Sequence, residues 1–193
     1  MVRAFLAIDL PEELKKKLYE LSKIEPPEGL KIKWVERPNF HITLKFFGSI
    51  SEKLLEKIFK ASEKALKEES SFKLVIDKIG YFPEKGNPRV VWIGLKLEND
   101  QLLNIHKILE KIFKKMKISD RKEKFHPHIT LFRVKKLSDK EDFNAYLKNL
   151  AKESQILEGF NFIVKELTIF KSNLTPQGPI YESLYKIKIG HGI

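Results

Sequence analysis

Residues 40–48 read FHITLKFFG and residues 126–134 read HPHITLFRV, so the tetrapeptide His-Ile-Thr-Leu occurs twice in this chain of 193 residues. The two copies begin at His41 and His128 and are therefore 87 residues apart. Flanking segments match at the same offset, namely 4–10 with 91–97 and 51–53 with 138–140. Because the flanks match together with the tetrapeptide, we interpret the pattern as an internal duplication within a single two-lobed domain. The predicted copies span about residues 1–88 and 89–193.

Hydrophobic periodicities divide each copy into short strands and amphipathic helices. Strands are predicted at RAFLAIDL, FHITLKFFG, SFKLVIDKIGYF, RVVWIGLKL, HPHITLFRV, FNFIVKELTIF and IYESLYKIKI. Helices are predicted after Pro11, from Ser51, over QLLNIHKILEKIFKKM and from Ser138, where Ser-x-x-Glu is typical of a capping box. EPPEG, PEKGNP and SNLTPQGP are predicted loops. The predicted fold class is α+β, a duplicated bilobal fold around a central cleft. Its two lobes are related by a pseudo-twofold axis, and each has an antiparallel-dominated sheet backed by helices.

Composition limits the chemistry that is open to this chain. Cysteine is absent, so disulfides, thiol nucleophiles and cysteine-ligated metals are excluded. The formal net charge of +11 favours phosphate-bearing partners but is equally typical of a solvated surface. No apolar run reaches the roughly 18 to 20 residues of a membrane helix, and the N-terminus does not resemble a secretory signal. We therefore expect a cytoplasmic protein.

The repeated tetrapeptide carries the candidate catalytic residues. Alternate side chains of a strand share a face, so His41 and Thr43 lie together, opposite to the intervening Ile42. His128 and Thr130 repeat this arrangement. Two such strands meeting near a pseudo-twofold axis would set two imidazoles and two hydroxyls around one phosphate-sized cleft. A neutral imidazole accepts a proton from water and an imidazolium donates one to a leaving oxygen, so this pair requires no metal.

Strand alternation adds two candidate substrate-binding residues. Lys45 shares the face of the first motif and is a candidate phosphate contact, while Phe132 shares the face of the second and could stack on a terminal base. A solvated lysine and a core phenylalanine are the alternative interpretations. His106 and His191 are interpreted as structural, because a single histidine near apolar residues is more often hydrogen-bonded than catalytic.

The motifs resemble those of the two-histidine phosphoesterase superfamily, and specifically its RNA 2′,3′-cyclic phosphodiesterase family, historically called 2′-5′ RNA ligases. That family carries two His-x-Thr-hydrophobic motifs in a duplicated fold. The resemblance spans nearly the whole chain through RAFLAIDLP at 3–11, KWVERPNFHITLKFFG at 33–48, FHPHITLFRV at 125–134 and SNLTPQGPIYE at 172–182. One His-x-Thr is a weak signal, but two at this spacing with these flanks are specific.

The resemblance implies that water opens RNA 2′,3′-cyclic phosphate ends to leave 2′-phosphomonoesters. It makes His41 the acid for the 3′-oxygen leaving group and His128 the base for the attacking water. Thr43 and Thr130 would bind and polarise the phosphate oxygens. Relatives are also reported to join RNA ends through a 2′-5′ linkage, which is the same chemistry with a 5′-hydroxyl in place of water.

Arg133 matches an arginine that follows the second motif in many relatives, where it would contact phosphate. By strand alternation Arg133 lies off the face of His128, unless the strand bulges after Leu131 or twists at an edge. Tyr181 lies in the family-like C-terminal segment and is a further, weaker candidate for the cleft. The implied partners are RNA ends, of tRNA or tRNA fragments. No cofactor and no membrane is expected, and the protein is expected to be a monomer.

Two other classes of function stay open from the residues. His126 and His128 lie two apart on a strand and could begin a metal site, although zinc needs about three protein ligands and no nearby Asp, Glu or Cys supplies a third in sequence. A non-catalytic basic RNA-binding module is the second alternative, which predicts salt-dependent binding without turnover.

Overall fold

The computed structural model describes residues 1–118 and 124–190 of the chain. In chain order the described elements are β1 (Val2–Asp9), α1 (Glu12–Glu20), β2 (Leu30–Trp34), β3 (His41–Ile50), α2 (Glu52–Leu66), β4 (Phe72–Phe82), β5 (Val90–Leu97), α3 (Gln101–Lys115), β6 (His128–Leu137), α4 (Lys140–Ser154), β7 (Asn161–Val164), β8 (Glu166–Thr175) and β9 (Gly178–Lys188). None of the described helices combines the length and the apolar character needed to cross a membrane.

The described strands form one antiparallel sheet in the order β7-β4-β5-β6-β3-β1-β8-β9, with β2 added beside β6. Within the described chain a single residue pair, Ile42 with Ile129, joins β3 to β6. This junction separates a β1 half, made of β3, β1, β8 and β9, from a β5 half, made of β2, β6, β5, β4 and β7. The predicted α+β class and the duplicated antiparallel architecture are confirmed.

Each sheet half takes strands from both predicted copies of the duplication. β4 belongs to the first copy but pairs with β5, whereas β8 and β9 belong to the second copy and continue the sheet beyond β1. Each half of the sheet is therefore built from strands of both copies, and neither half is one copy folded by itself. The copy boundary near residue 88 stays a prediction.

Alternation along β1 shows how the sheet separates the helices from the cleft. Ala4, Leu6 and Ile8 belong to the main core, which also contains the buried faces of the four α-helices. Phe5 and Ala7 point the other way and form a small second cluster with a phenylalanine of β8. Helices thus cover one face of the sheet, and the other face is left for the site.

A β-bulge interrupts alternation in both motif strands. In β6 the register against β5 shifts between Thr130 and Phe132, so Leu131 is an extra residue. Leu131 and Phe132 are both buried, and Arg133 returns to the face of Thr130. In β3 the register against β1 shifts at the equivalent residue, Leu44. The bulge changes the face of the residues that directly follow it, up to the next register shift, at Phe47 in β3 and at Lys135 in β6.

The strands beside the motifs do not follow the offset of the motifs. Asp9 pairs with His41 and Gly94 pairs with His128, so β1 and β5 are equivalent at an offset of 85 residues. The alignment of 4–10 with 91–97 at an offset of 87 is therefore wrong by two residues. Because strand side chains have a period of two, a slip of two residues leaves the apolar faces matched and is invisible in the pattern.

FNFIVKELTIF is two strands and not one, so this prediction is wrong. β7 pairs with β4 in the β5 half of the sheet, and after Lys165 the chain continues as β8, which pairs with β1 in the β1 half. An apolar pattern records burial but not the identity of the neighbouring strand, so it carries no sign of this change of partner.

Three smaller features also differ from expectation. Helix α4 is capped by the Asp139 carboxylate, which accepts a hydrogen bond from the Glu141 amide at 2.8 Å, so the capping box from Ser138 is wrong by one residue. SNLTPQGP is a strand hairpin and not a loop, because β8 and β9 leave Pro176 and Gln177 between them. Strand β2 has no counterpart among the predicted strands.

Candidate active site

The two repeated motifs meet where the two halves of the sheet join. Their central residues, Ile42 and Ile129, pair with one another and are fully buried in the core. Continued in this register, the pairing sets each histidine opposite the threonine of the other motif. The polar side chains flanking the isoleucines point to the cleft face, and they are His41, Thr43, His128 and Thr130. Side chains directly opposite across strands lie about 5 Å apart, and diagonal ones roughly 7 to 8 Å apart, which suits a phosphate between them.

Each imidazole is held from behind by the main chain. Nδ1 of His41 donates a hydrogen bond to the Asn39 carbonyl oxygen at 2.7 Å, and Nδ1 of His128 donates to the His126 carbonyl oxygen at 2.7 Å. Because a carbonyl oxygen only accepts, each Nδ1 carries a hydrogen and Nε2 is the atom that exchanges a proton. Nε2 of His41 lies 2.9 Å from the Thr43 hydroxyl, which donates to it when the ring is neutral.

Burial lowers the pKa of both histidines. For His41 it outweighs the main-chain hydrogen bond and the Asp9 carboxylate, which act in the opposite direction, and the pKa falls to about 4. For His128 burial also lowers the pKa against its main-chain hydrogen bond, and the nearby His126 ring and Arg133 guanidinium lower it further. Both rings are therefore neutral at pH 7 in the free protein, and a bound phosphate anion would raise both pKa values.

Aromatic rings flank both imidazoles. The ring of His41 lies 4.9 Å from that of Phe5 and 5.4 Å from that of Tyr181, between ring centroids. The ring of His128 lies 5.3 Å from that of Phe82 and 5.9 Å from that of Trp92. These contacts limit ring rotation and remove water from one side of each imidazole, which is the physical reason that burial dominates both pKa values.

A cavity of about 750 Å³ opens on the β1 side of the motifs. His41, Thr43, Thr130 and Arg133 line it together with residues of β1, β8 and β9. Arg133 reaches the cavity because the bulge at Leu131 restores it to the face of Thr130, which is the first of the two ways that the sequence left open. The cavity thus contains a guanidinium beside the motif hydroxyls, a combination that can bind the oxygens of a phosphate group.

The expectation that Lys45 faces the cleft is wrong. Lys45 follows the bulge at Leu44, is 8% exposed on the helix side of the sheet, and forms an ion pair with Glu110 of α3, Nζ to Oε2 2.9 Å. The other oxygen of this carboxylate lies 3.8 Å from Nε2 of His106. Lys45 is therefore part of the packing between β3 and α3.

The expectation that Phe132 faces the cleft is wrong for the same reason. Phe132 follows the bulge at Leu131 and is completely buried on the helix side of the sheet. Its ring packs against Trp34 at 5.0 Å and Tyr146 at 6.0 Å between centroids. Phe132 is a core residue, the alternative that its residue type favoured.

The remaining histidines differ in their surroundings. His106 stacks on Phe125 at 3.9 Å between ring centroids, on the helix side of the sheet, which fits the structural role predicted for it. His126 is exposed and lies 4.8 Å from the ring of Trp92. His191 lies outside the described residues. Across residues 1–118 and 124–190, no group of three or more His, Cys, Asp or Glu side chains is arranged to hold a metal ion.

Several cavity residues are missing from the sequence-based prediction. Arg3 and Phe5 line the cavity from β1. Residues 3, 5 and 7 alternate along a predicted strand, so the sequence could have indicated that they share one face. Ser172 lines it from β8, and no local signal identifies it, because its place depends on pairing with β1 and β9. Asn39 is a further supporting residue: its Nδ2 donates to a carbonyl oxygen of β9 at 2.7 Å and steadies the segment behind His41.

Comparisons with known proteins identify the family and agree with the fold. A family model described as LigT like Phosphoesterase matches residues 8–92 and 94–181. The RNA 2′,3′-cyclic phosphodiesterase of Thermotoga maritima is 32% identical over 197 residues, which cover 100% of this chain and 98% of that protein. A crystal structure of a Thermus thermophilus protein has a TM-score of 0.76 at 27% identity and covers 97% of both chains. E. coli LigT complexed with 3′-AMP shares the fold, with a TM-score of 0.76 at 24% identity, over 97% of this chain and 98% of that one.

The fold and the family match thus define a phosphoesterase, and this chain belongs to the LigT-like family of the two-histidine phosphoesterases. The family resemblance of the sequence is confirmed. Membership assigns an enzyme acting on phosphate esters, in a family whose curated relatives are named for RNA 2′,3′-cyclic phosphates.

Proposed function

We propose that this protein hydrolyses RNA 2′,3′-cyclic phosphate ends to 2′-phosphomonoesters by a metal-independent two-histidine mechanism. The observation that carries the proposal is the meeting of both motifs at the Ile42–Ile129 pair, with two imidazoles and two hydroxyls on the cleft face. The substrate class is supported by the names of relatives that are 32% and 33% identical, the RNA 2′,3′-cyclic phosphodiesterases of Thermotoga maritima and Methanocaldococcus jannaschii.

In the proposed reaction, the oxygen of water attacks phosphorus while the bond from phosphorus to the 3′-oxygen breaks. Nε2 of His128 takes a proton from the water, and Nε2 of His41 gives a proton to the 3′-oxygen. The products are a 2′-phosphomonoester and a free 3′-hydroxyl. Proton exchange with solvent then returns each imidazole to its starting form.

Neutral rings in the free protein make substrate binding part of this mechanism. His41 has a pKa of about 4 before binding, so at pH 7 it is unprotonated and cannot act as a general acid until a phosphodiester anion enters. The anion raises the pKa of His41 and allows it to hold the proton that the leaving oxygen needs. The low pKa of free His41 would equally suit a base, so the order of the two roles requires a direct test with a substrate whose leaving group needs no proton.

Hydroxyls and a guanidinium would stabilise the charge that builds on the phosphorane oxygens. Thr43 and Thr130 line the cavity together with His41 and Arg133, whereas His128 is not among the lining residues. Such preorganised donors contribute about 10² to 10³ in rate each in related oxyanion sites. With a 5′-hydroxyl in place of water, the same arrangement would join RNA ends through a 2′-5′ linkage, and we propose this as a side activity.

The test follows the phosphorus directly. Purified protein is incubated with a short RNA ending in a 2′,3′-cyclic phosphate, with EDTA present, and phosphorus NMR distinguishes the cyclic ester from the 2′- and 3′-monoesters. Complete conversion to the 2′-monoester, lost in His41→Ala and in His128→Ala, is the expected result. His106→Ala is the matched control, because it removes an imidazole from the helix side of the sheet.

Two results would contradict the proposal. An unchanged cyclic ester with retained, salt-dependent RNA binding would favour the binding module, and turnover that EDTA abolishes and zinc restores would favour a metal site. Adding an RNA with a 5′-hydroxyl end tests joining, since a 2′-5′ linked product resists nucleases that need a 3′-5′ bond. The rates of hydrolysis of tRNA fragments and of unrelated RNAs, compared with the same preparation, test the proposed tRNA substrates. Its molar mass from light scattering tests the proposed monomeric state.

A further inference from the structure

A second group of polar side chains lies in the cavity, further from the junction than the two motifs. Arg3 of β1, Ser172 of β8 and Tyr181 of β9 all line the cavity. Ser172 pairs directly with Tyr181. Ala4 pairs with Lys171, so the next residues in this antiparallel register, Arg3 and Ser172, are neighbours. The sheet thus presents a guanidinium and two hydroxyls side by side across three strands.

None of these three side chains has a hydrogen-bond or ion-pair partner among residues 1–118 and 124–190. The adjacent carboxylate on β9, Glu182, points to the other face by alternation and forms an ion pair with Lys171 at 3.6 Å. Burial raises the pKa of Tyr181, against the effect of Arg133 and Arg3, so the phenol is a hydrogen-bond donor at pH 7. All the polar groups of this cluster are therefore able to donate, and the group they fit is an anion.

An aromatic surface connects this cluster to the catalytic imidazole. The ring of Phe5 lies 4.9 Å from that of His41, 4.8 Å from that of Tyr181 and 5.8 Å from that of Phe46, between centroids. Aromatic faces of this kind stack nucleobases with little regard to sequence. A nucleoside can therefore lie between the imidazole at one end of the cavity and the guanidinium at the other.

The spacing along β1 sets how far apart two bound phosphates would be. Thr43 pairs with Ala7, and Arg3 is four residues further along β1, which is roughly 13 Å between α-carbons at the rise of a strand. A long arginine side chain directed back toward the cavity shortens that separation at the level of the ligand. The remaining gap matches one nucleotide unit of an extended RNA strand.

We propose that Arg3, with Ser172 and Tyr181, binds the phosphodiester that precedes the terminal cyclic phosphate, so that this protein prefers RNA oligonucleotides to cyclic mononucleotides. The inference rests on the proposed hydrolysis and specifies its substrate: a nucleoside on the Phe5 surface, its cyclic phosphate at the motifs, and its 5′-phosphate at Arg3. Arg3 is a binding residue for the upstream phosphate, while Arg133 serves the reacting one.

The test compares two dinucleotides that end in a 2′,3′-cyclic phosphate and differ in a single group. One has a natural internal phosphodiester, and the other has an uncharged methylphosphonate in its place. In the unsubstituted protein the charged dinucleotide is expected to have a kcat/KM about tenfold higher, as for a partly exposed charge-assisted contact. In Arg3→Gln this preference is expected to fall to less than about twofold, and in Arg3→Lys to an intermediate value.

Lys67→Gln is the matched control, because it removes one positive charge at the exposed end of α2 and should retain the full preference. A preference that survives in Arg3→Gln, or an equal loss for both dinucleotides, overturns the inference, since the second result means that Arg3 serves the terminal phosphate. If neither dinucleotide is hydrolysed, the proposed function fails. In that case calorimetry measures the affinities of the protein for the 2′-phosphorylated products of the two dinucleotides. The ratio of these two affinities, in the unsubstituted protein and in Arg3→Gln, then shows whether Arg3 contacts the internal phosphate.

Discussion

His41 and His128 occupy the same place in two copies of one motif, yet their surroundings differ. Both begin a strand, both donate from Nδ1 to the carbonyl oxygen two residues earlier, and both precede a threonine and a bulge. Around His41, however, Nε2 is hydrogen-bonded to Thr43 and the segment behind it is tied to β9 through Asn39. Behind His128 stands the exposed His126.

The two copies also differ at the residue that follows the bulge. The second copy places Arg133 in the cavity, and the first copy places Phe46 there, at the position 87 residues earlier. Duplication thus supplies a symmetric frame that, in the proposed mechanism, directs two imidazoles to one phosphate. The proposed acid–base mechanism needs the two rings in different protonation states once substrate is bound, because burial keeps both neutral at pH 7 in the free protein. Matched variants in the two copies measure how far the asymmetry extends.

The largest effect is expected from substitution of the two histidines, tested on substrates with two different leaving groups. His41→Ala and His128→Ala should each lower kcat by about 10² to 10⁴ on the natural cyclic phosphate. With a 3′-thio substrate, whose sulfur leaves without protonation, His41→Ala should recover most of its rate and His128→Ala should not. Rapid-quench kinetics on both substrates measure this. Rescue of His128→Ala instead would reverse the two roles.

The threonines are expected to come next. Thr43→Val and Thr130→Val keep the shape of the side chain and remove a phosphate donor, so each should lower kcat by about 10² to 10³ with KM little changed. Thr43→Val should cost more, because the Thr43 hydroxyl also contacts Nε2 of His41. Steady-state kinetics of both variants decide the matter, and equal losses would show that this contact has no catalytic role.

Substitutions of Arg133 and of its equivalent in the first copy, Phe46, test the asymmetry of the cavity. Arg133→Gln should lower kcat/KM by about 10- to 100-fold through loss of a charge-assisted contact, and Arg133→Lys should recover part of it. Phe46→Tyr keeps an aromatic ring at the equivalent position and should change kcat/KM by less than about threefold, because the ring beside Phe5 is retained. A comparable loss in both variants would mean that the cavity depends on shape and not on charge.

The pH dependence follows from the lowered pKa values of the free protein. The productive form carries one proton on the pair, and both rings lose protons below their usual pKa of 6.5. kcat/KM should therefore fall about tenfold per pH unit on the alkaline side, beginning below about pH 6.5. Because bound phosphate raises both pKa values, the alkaline limb of kcat should lie at higher pH. Profiles from about pH 4 to 9 measure both limbs, and a kcat/KM limb above about pH 7 would contradict the burial argument.

The smallest effect is expected from the residues behind the imidazoles. Asn39→Ala removes the bond to the β9 carbonyl, leaves that acceptor unsatisfied, and should lower the free energy of unfolding by about 1 to 3 kcal/mol. kcat should fall several-fold, because the carbonyl that orients His41 becomes less fixed. His126→Ala at the equivalent position should have a smaller effect on stability, since its ring is exposed. Denaturant unfolding and kcat of the two variants, Asn39→Ala and His126→Ala, test this expectation. Equal destabilisation would show that the segments behind the two imidazoles are held equally firmly.

Strands, helices and the pairing of motifs were largely predictable, because burial imprints a period of two or about 3.6 residues on the chain. The errors at Lys45, at Phe132 and in FNFIVKELTIF share one cause. Lys45 and Phe132 are assigned to the cleft face when alternation is extended through a bulge, and FNFIVKELTIF is taken for one strand across a change of partner. A change of partner leaves the local apolar pattern unaltered, and a charged residue at Lys45 hides the bulge in β3, since both features depend on what the neighbouring strand does.

By itself, the sequence determined that the chain is α+β, that it repeats, and that two His-x-Thr motifs are its candidate catalytic site, because these are properties of residue type and spacing. Tertiary structure alone decided that β1 and β5 are related by 85 residues and not 87, that Arg133 faces the cavity, and that Arg3, Ser172 and Tyr181 stand together. Strand pairing joins residues far apart in the chain, and because the side-chain pattern has a period of two, registers that differ by two residues leave the same pattern.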